Sequence, residues 1–98
     1  MAKGYWIAHV KVTNPDRYKD YVAANALAFR KYNAKFIVRG GKFERRACAE
    51  IGERHVVIEF ESYEVARACY DSPEYKAAAA IRDEASEANV IIIEGYDG

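Results

Sequence analysis

Two cysteines, two prolines and two histidines are all that this 98-residue chain has of those types. Each scarcity excludes something. Cys48 and Cys69 form neither a disulfide framework nor a thiolate metal spacing, so both read as reduced thiols, Cys69 packed on a helix and Cys48 in a loop. Charge of one sign is missing as well: 15 Lys and Arg balance 15 Asp and Glu, with no basic run. That leaves no electrostatic footprint for nucleic acid. No apolar stretch approaches the ~20 residues that a membrane helix needs. His9 and Lys11 interrupt the first apolar stretch, so no signal-peptide core is present and a cytoplasmic location is expected. Solenoid repeats and low-complexity segments are absent too. What remains is one domain over residues 1–98. A chain this short buries only roughly 60–65% of the surface that it exposes unfolded, so a second copy would help.

The most informative pattern present is strict alternation in short strands. Residues i and i+2 of a strand share a face. Trp6, Ala8, Val10 and Val12 therefore share one face, as do Val56, Ile58 and Phe60. The opposite face carries Tyr5, Ile7, His9 and Lys11, with His55, Val57, Glu59 and Glu61. A third strand, Phe36 to Arg39, is expected to add Ile37 and Arg39 to that second face. Such a face is too apolar for bare solvent and too charged for a sealed core, and it reads as the wall of a pocket.

Between the strands lie helix signals. Asn14-Pro15-Asp16 is a helix start, with Asn14 as N-cap and Pro15 in the first turn. Tyr18, Tyr21, Val22, Asn25, Phe29 and Tyr32 then recur at helical spacing. Ser62 caps a second helix, and Ser72-Pro73 restarts it for a segment ending near Ala88. The last strand is expected over Asn89 to Glu94. The order β-α-β-β-α-β predicts an α+β, ferredoxin-like sandwich: a four-stranded antiparallel sheet with helices on one face. The simplest cover for the free face is the same face of a second copy, giving a homodimeric two-sheet barrel.

Three segments carry a family resemblance. They are Lys35-Phe36-Ile37-Val38-Arg39-Gly40-Gly41, then Arg54 to Ser62, then Ala68 to Lys76 with Arg82 beyond; Ile93-Glu94-Gly95-Tyr96 also fits. In their order and spacing the chain resembles the family catalogued as domain of unknown function 1330. That family is similar to the wider set of dimeric α+β barrels, which includes cofactor-free monooxygenases, haem-degrading enzymes, muconolactone-isomerase-like proteins and plain ligand binders. The resemblance implies a fold and a dimer, not a chemistry. The stretch Cys48-Ala49-Glu50-Ile51-Gly52-Glu53 departs from the Glu-Gly pair and longer loop that members often carry, so a lid built there would differ.

Candidate site residues follow from the free face. His9 is a base or a hydrogen-bonded structural histidine. Glu59 is expected beside it, because the first and third strands are taken as adjacent and parallel; it would orient His9 or form an ion pair with Arg39. Arg39 offers a planar fork for a ligand anion, and Gly40 gives either backbone access or a β-bulge. Tyr5 belongs to the same wall and His55 to its rim. Tyr75 and Arg82, two helical turns apart, either reach a pocket edge or pin their helix to the sheet. No metal is expected: His55 and Glu59 stand four apart on a strand, ~13 Å. No cofactor is expected either, since haem would rest on His9 alone and Gly40-Gly41 lacks a phosphate-cradling pattern. The functional expectation is a homodimer with a small-molecule pocket. Either it is a cofactor-free enzyme for proton transfer or oxidation of a small anionic or aromatic metabolite, or it is a non-catalytic binding or accessory dimer.

Overall fold

The computed structural model describes residues 2–47 and 52–97, so the expectations for Cys48 and for a lid over 48–51 fall outside the described residues. Its elements follow the order β1 (Gly4–Val12), α1 (Pro15–Lys31), β2 (Lys35–Arg39), β3 (Arg54–Phe60), α2 (Tyr63–Asp71), α3 (Pro73–Ala85) and β4 (Ser86–Glu94). The sheet order is β2-β3-β1-β4, with every neighbouring pair antiparallel. This is the ferredoxin-like arrangement.

Local chemistry sets the boundaries. Asn14 Oδ1 accepts from the Arg17 backbone N–H at 3.1 Å, and Pro15 opens α1, where a missing N–H costs nothing. Ser62 caps α2 in the same way through the Val65 N–H. Ser72 serves two helices at once. Its hydroxyl donates to the Cys69 carbonyl at 2.6 Å and accepts from the Tyr75 N–H at 3.2 Å, closing α2 and opening α3. Helix α3 stops at Ala85, three residues before the expected end near Ala88. The Ala85 carbonyl is taken by the N–H groups of Thr13 and Asn14, and Ser86 already pairs with Val12. The β1–β4 ladder thus captures the residues that helix propensity alone would keep.

The core lies between the helices and one face of the sheet. Trp6 is its centre: its ring lies 4.8–5.3 Å from those of Phe29, Phe60, Tyr70 and Tyr75, and its indole N–H donates to the Ala66 carbonyl at 2.8 Å. Val10, Val56, Ile58 and Phe60 share this face and are buried, as alternation requires.

Two expectations about the strands are corrected. Strands β1 and β3 are adjacent but antiparallel. In a βαββαβ sheet the crossover makes β1 parallel to β2, and β3 lies between them running the other way. His9 therefore faces His55, and Glu59 faces Tyr5. The second correction concerns β2. Its register against β3 shifts between Phe36 and Val38. A bulge of one residue exchanges the faces beyond it. Phe36 opposes Ile58, Val38 opposes Val57, and Arg39 opposes Val56. Arg39 therefore sits on the helix side, not on the free face with His9 and Glu59.

Candidate functional site

On the free face, the residues expected to form a pocket wall make two separate pairs. The Nδ1 atoms of His9 and His55 lie 2.9 Å apart, one ring donating to the other, with the Phe43 ring 4.6 Å from that of His55. Four residues along the strands, the Tyr5 hydroxyl approaches Glu59 Oε2 at 3.4 Å. Ile7 and Val57 stand between the pairs. Glu59 is thus about 13 Å along the strand from His55, and it does not orient His9. It does not pair with Arg39 either, because that side chain is on the opposite side of the sheet. Among the described residues no three His, Cys, Asp or Glu side chains converge.

The concavities lie elsewhere. An inner cavity of about 40 Å³ opens between α1, α3 and the helix-facing side of the sheet. Trp6, Tyr18, Tyr21, Phe29, Phe36 and Tyr75 give it an aromatic lining, into which Asn25, Arg39, Arg54 and Arg82 also project. Next to it, an outer groove of about 450 Å³ runs between α1 and β2 and shares Asn25, Phe29, Phe36 and Arg39 with the cavity. A third hollow, of about 290 Å³, lies by Val10 and Arg54. None of the three is lined by His9, His55 or Glu59.

A hydrogen-bonded chain crosses the floor of the inner cavity. The hydroxyls of Tyr21 and Tyr75 are 2.6 Å apart, and Arg82 Nη1 donates to the hydroxyls of Tyr75 and Tyr70 at 3.1 and 3.2 Å. Asn25 lies beside the Tyr21 hydroxyl from one turn along α1 and favours its ionised form, against the burial. Burial pushes the Tyr21 and Tyr75 phenols up from their ordinary range, the more so for Tyr21 because Tyr75 lies against it. Burial works against the Arg82 charge, but the hydroxyls of Tyr70 and Tyr75 outweigh it, and the guanidinium stays protonated. Tyr75 and Arg82, two turns apart on α3, share a face that is bonded to Tyr21 of α1 and Tyr70 of α2 and borders the cavity.

Two further arginines reach this region. Arg39 lays its guanidinium over the Phe36 ring, 4.1 Å from the centroid. Arg54, opposite Val10 at the start of β3, reaches the Tyr18 ring at 5.7 Å. Gly40 has φ +68°, a conformation that favours glycine, and the Arg54 Nη1 lies 2.7 Å from where a side chain would begin there. Arg54 was readable from alternation, since it shares parity with Val56, Ile58 and Phe60. Tyr18, Tyr21 and Asn25 were visible only as a buried stripe, and Asn25 is the polar residue within it.

Over residues 3–96 the sequence matches the family described as domain of unknown function DUF1330. The chain belongs to that family. No curated protein matches this DUF1330 chain. Solved structures resemble it in fold. A protein of unknown function from Rhodopseudomonas palustris is 16% identical, with a TM-score of 0.70 over 99% of this chain and 85% of that one. SnoaB, a cofactor-independent oxygenase from Streptomyces nogalater, is 14% identical, with a TM-score of 0.67 over 100% and 97%. A dimeric ferredoxin-like protein of unknown function from Thermobifida fusca is 18% identical, with a TM-score of 0.62 over 94% and 90%. Among the described residues of this DUF1330 chain, no helix is long and apolar enough to cross a membrane.

Proposed function

We propose that this protein is a homodimer that binds a small anionic or aromatic metabolite between its helices and its sheet. The observation that carries the reading is the outer groove of about 450 Å³, which has room for a small ligand and shares Asn25, Phe29, Phe36 and Arg39 with the aromatic-lined inner cavity, where Arg54 and Arg82 also project. Ligand sites are commonly concave and mostly apolar, with a few placed polar groups. The dimer is supported by the other face, where Val38, Ile91 and Ile93 are exposed beside Ile7 and Val57. A second sheet laid over them would remove that apolar area from water. His9, His55, Tyr5 and Glu59 then belong to the dimer interface rather than to the ligand.

Binding is favoured over base catalysis because, among the described residues, no histidine or carboxylate lines the cavity. Burial shifts the Tyr21 and Tyr75 phenols upward, Arg82 stays charged, and the histidines face away. One feature supports a catalytic reading nonetheless. The Tyr21–Tyr75–Arg82 chain could hold the anion of a substrate acidic enough to ionise by itself, which is what a cofactor-free oxidation requires of the protein. A thermal-shift screen against small organic acids and aromatic metabolites tests the binding reading. Hits should raise the melting temperature of the wild type but not of Ala26→Trp, which fills the groove from the exposed side of α1. Equal responses from both would refute this placement of the site. Oxygen uptake with any hit separates catalysis from binding alone.

A further inference from the structure

We propose that Arg39 and Arg54 together form an anion-binding clamp at the mouth of this cavity, and that its ligand is a flat aromatic carboxylate. The proposal rests on the reading of the cavity as a ligand site and adds the chemical class of the ligand. Three observations carry it.

The first is the bulge in β2. By exchanging faces after Phe36, it brings Arg39 to the same side as Arg54, and both side chains line the inner cavity. The second is the lack of counter-charge. Among the described residues neither guanidinium is ion-paired, and Arg54 Nε is buried without any hydrogen-bond partner. Two cations that share one cavity repel each other, and a buried unpaired N–H is costly. An anion bound between them removes the repulsion and gives the buried Arg54 head a counter-charge, and the planar fork of a guanidinium matches a carboxylate. The third is the surroundings. Arg39 is stacked on Phe36 and Arg54 reaches Tyr18, so a charged head held there would have its body among aromatic rings. The outer groove of about 450 Å³ shares Arg39 and Phe36 with the inner cavity, which gives a flat ring system room to lie with its carboxylate pointing inward. Inorganic phosphate would satisfy the charges but would leave the apolar walls unused.

Isothermal titration of the full chain with 2-naphthoate, 2-naphthamide and inorganic phosphate tests this, in the wild type and in Arg39→Gln and Arg54→Gln. The expected result is that naphthoate binds the wild type and binds each variant at least about tenfold more weakly, in line with loss of a charge-assisted hydrogen bond. Naphthamide should be weaker by a similar factor, and added salt should weaken naphthoate binding. If Arg54→Gln does not fold, Arg54→Lys serves, because it keeps the charge and loses the fork. Naphthamide binding as tightly as naphthoate, with the arginine variants unaffected, would overturn the clamp and leave the cavity reading standing. Phosphate binding alone, lost in both variants, would overturn the aromatic carboxylate as ligand class. No binding of any probe, with no thermal-shift response to other ligands, would overturn the clamp and the cavity reading together.

Discussion

Replacing Tyr75 by Phe removes one oxygen atom from a buried polar chain. Tyr75 is 1% exposed, so the change leaves its ring packing against Trp6 untouched and isolates the hydroxyl. Two bonds go: the 2.6 Å contact with Tyr21 and the 3.1 Å donation from Arg82. Arg82 keeps the Tyr70 hydroxyl and its ion pair with Asp83, and the Tyr21 hydroxyl keeps the Asn25 amide as its neighbour. A neutral bond contributes about 1 kcal/mol, and one to a charged group about 1.5–3. Because the partners stay partly satisfied, the expected loss is about 2 kcal/mol. For a chain of this size each kcal/mol shifts the melting temperature by about 4–8 °C, so a fall of about 8–16 °C is expected. The measurement is thermal unfolding at one fixed protein concentration, since association would make the midpoint concentration-dependent. Tyr21→Phe removes only the shared bond and the Asn25 contact, and should cost less. The double variant should fall short of the sum of the two, as expected for residues in contact. A Tyr75→Phe protein melting within about 2 °C of the wild type, a shift corresponding to under 0.5 kcal/mol, would refute the account of this network.

Ile91 is 53% exposed on the free face; Ile91→Asp should therefore leave the protomer folded but reduce the mass found by light scattering from about twice the 11.1 kDa chain mass to the chain mass itself, and a wild-type monomer at micromolar concentration would sink the dimer. Cys69 is fully buried, and burial pushes its thiol up to about 12; alkylation in the native state should be negligible and should become rapid in denaturant, whereas fast native labelling assigned to Cys69 by peptide mapping would contradict the packing. Lys31 donates to Glu74 at 2.8 Å and ties α1 to α3, holding the Glu74 carboxyl below its ordinary range. The stability that this pair contributes is present above the unfolded carboxyl value and is lost as pH falls through the lowered folded one. Glu74→Gln should accordingly flatten the acid limb of a melting-temperature profile, and an unchanged limb would show that the pair contributes nothing.

What the sequence tells of this structure depends on which physical signal each residue carries. The two Ser caps, the two helix-opening prolines and the parity of β1 and β3 are local signals, and each stands in the structure where alternation or capping chemistry places it. The end of α3 was misjudged because a long-range ladder, Val12 with Ser86, overrides local helix propensity. The neighbour of His9 was misjudged for a different reason: parity gives the face of a residue, whereas its cross-strand partner depends on strand direction. Antiparallel pairing put His55 there and moved Glu59 to Tyr5. Arg39 is the most instructive case. Its face was inferred by counting from Phe36, and counting by twos holds only while the ladder is regular. The residue inserted at Ile37 breaks that count, and no residue type there announces a bulge; the glycines that did suggest one, Gly40 and Gly41, lie beyond it. One unpaired residue thus moves a guanidinium from the face of the expected dimer to the face of the cavity. The same step changes its partner from Glu59 to Arg54, and so changes what is needed to balance its charge. A carboxylate expected from within the chain becomes one expected from a ligand.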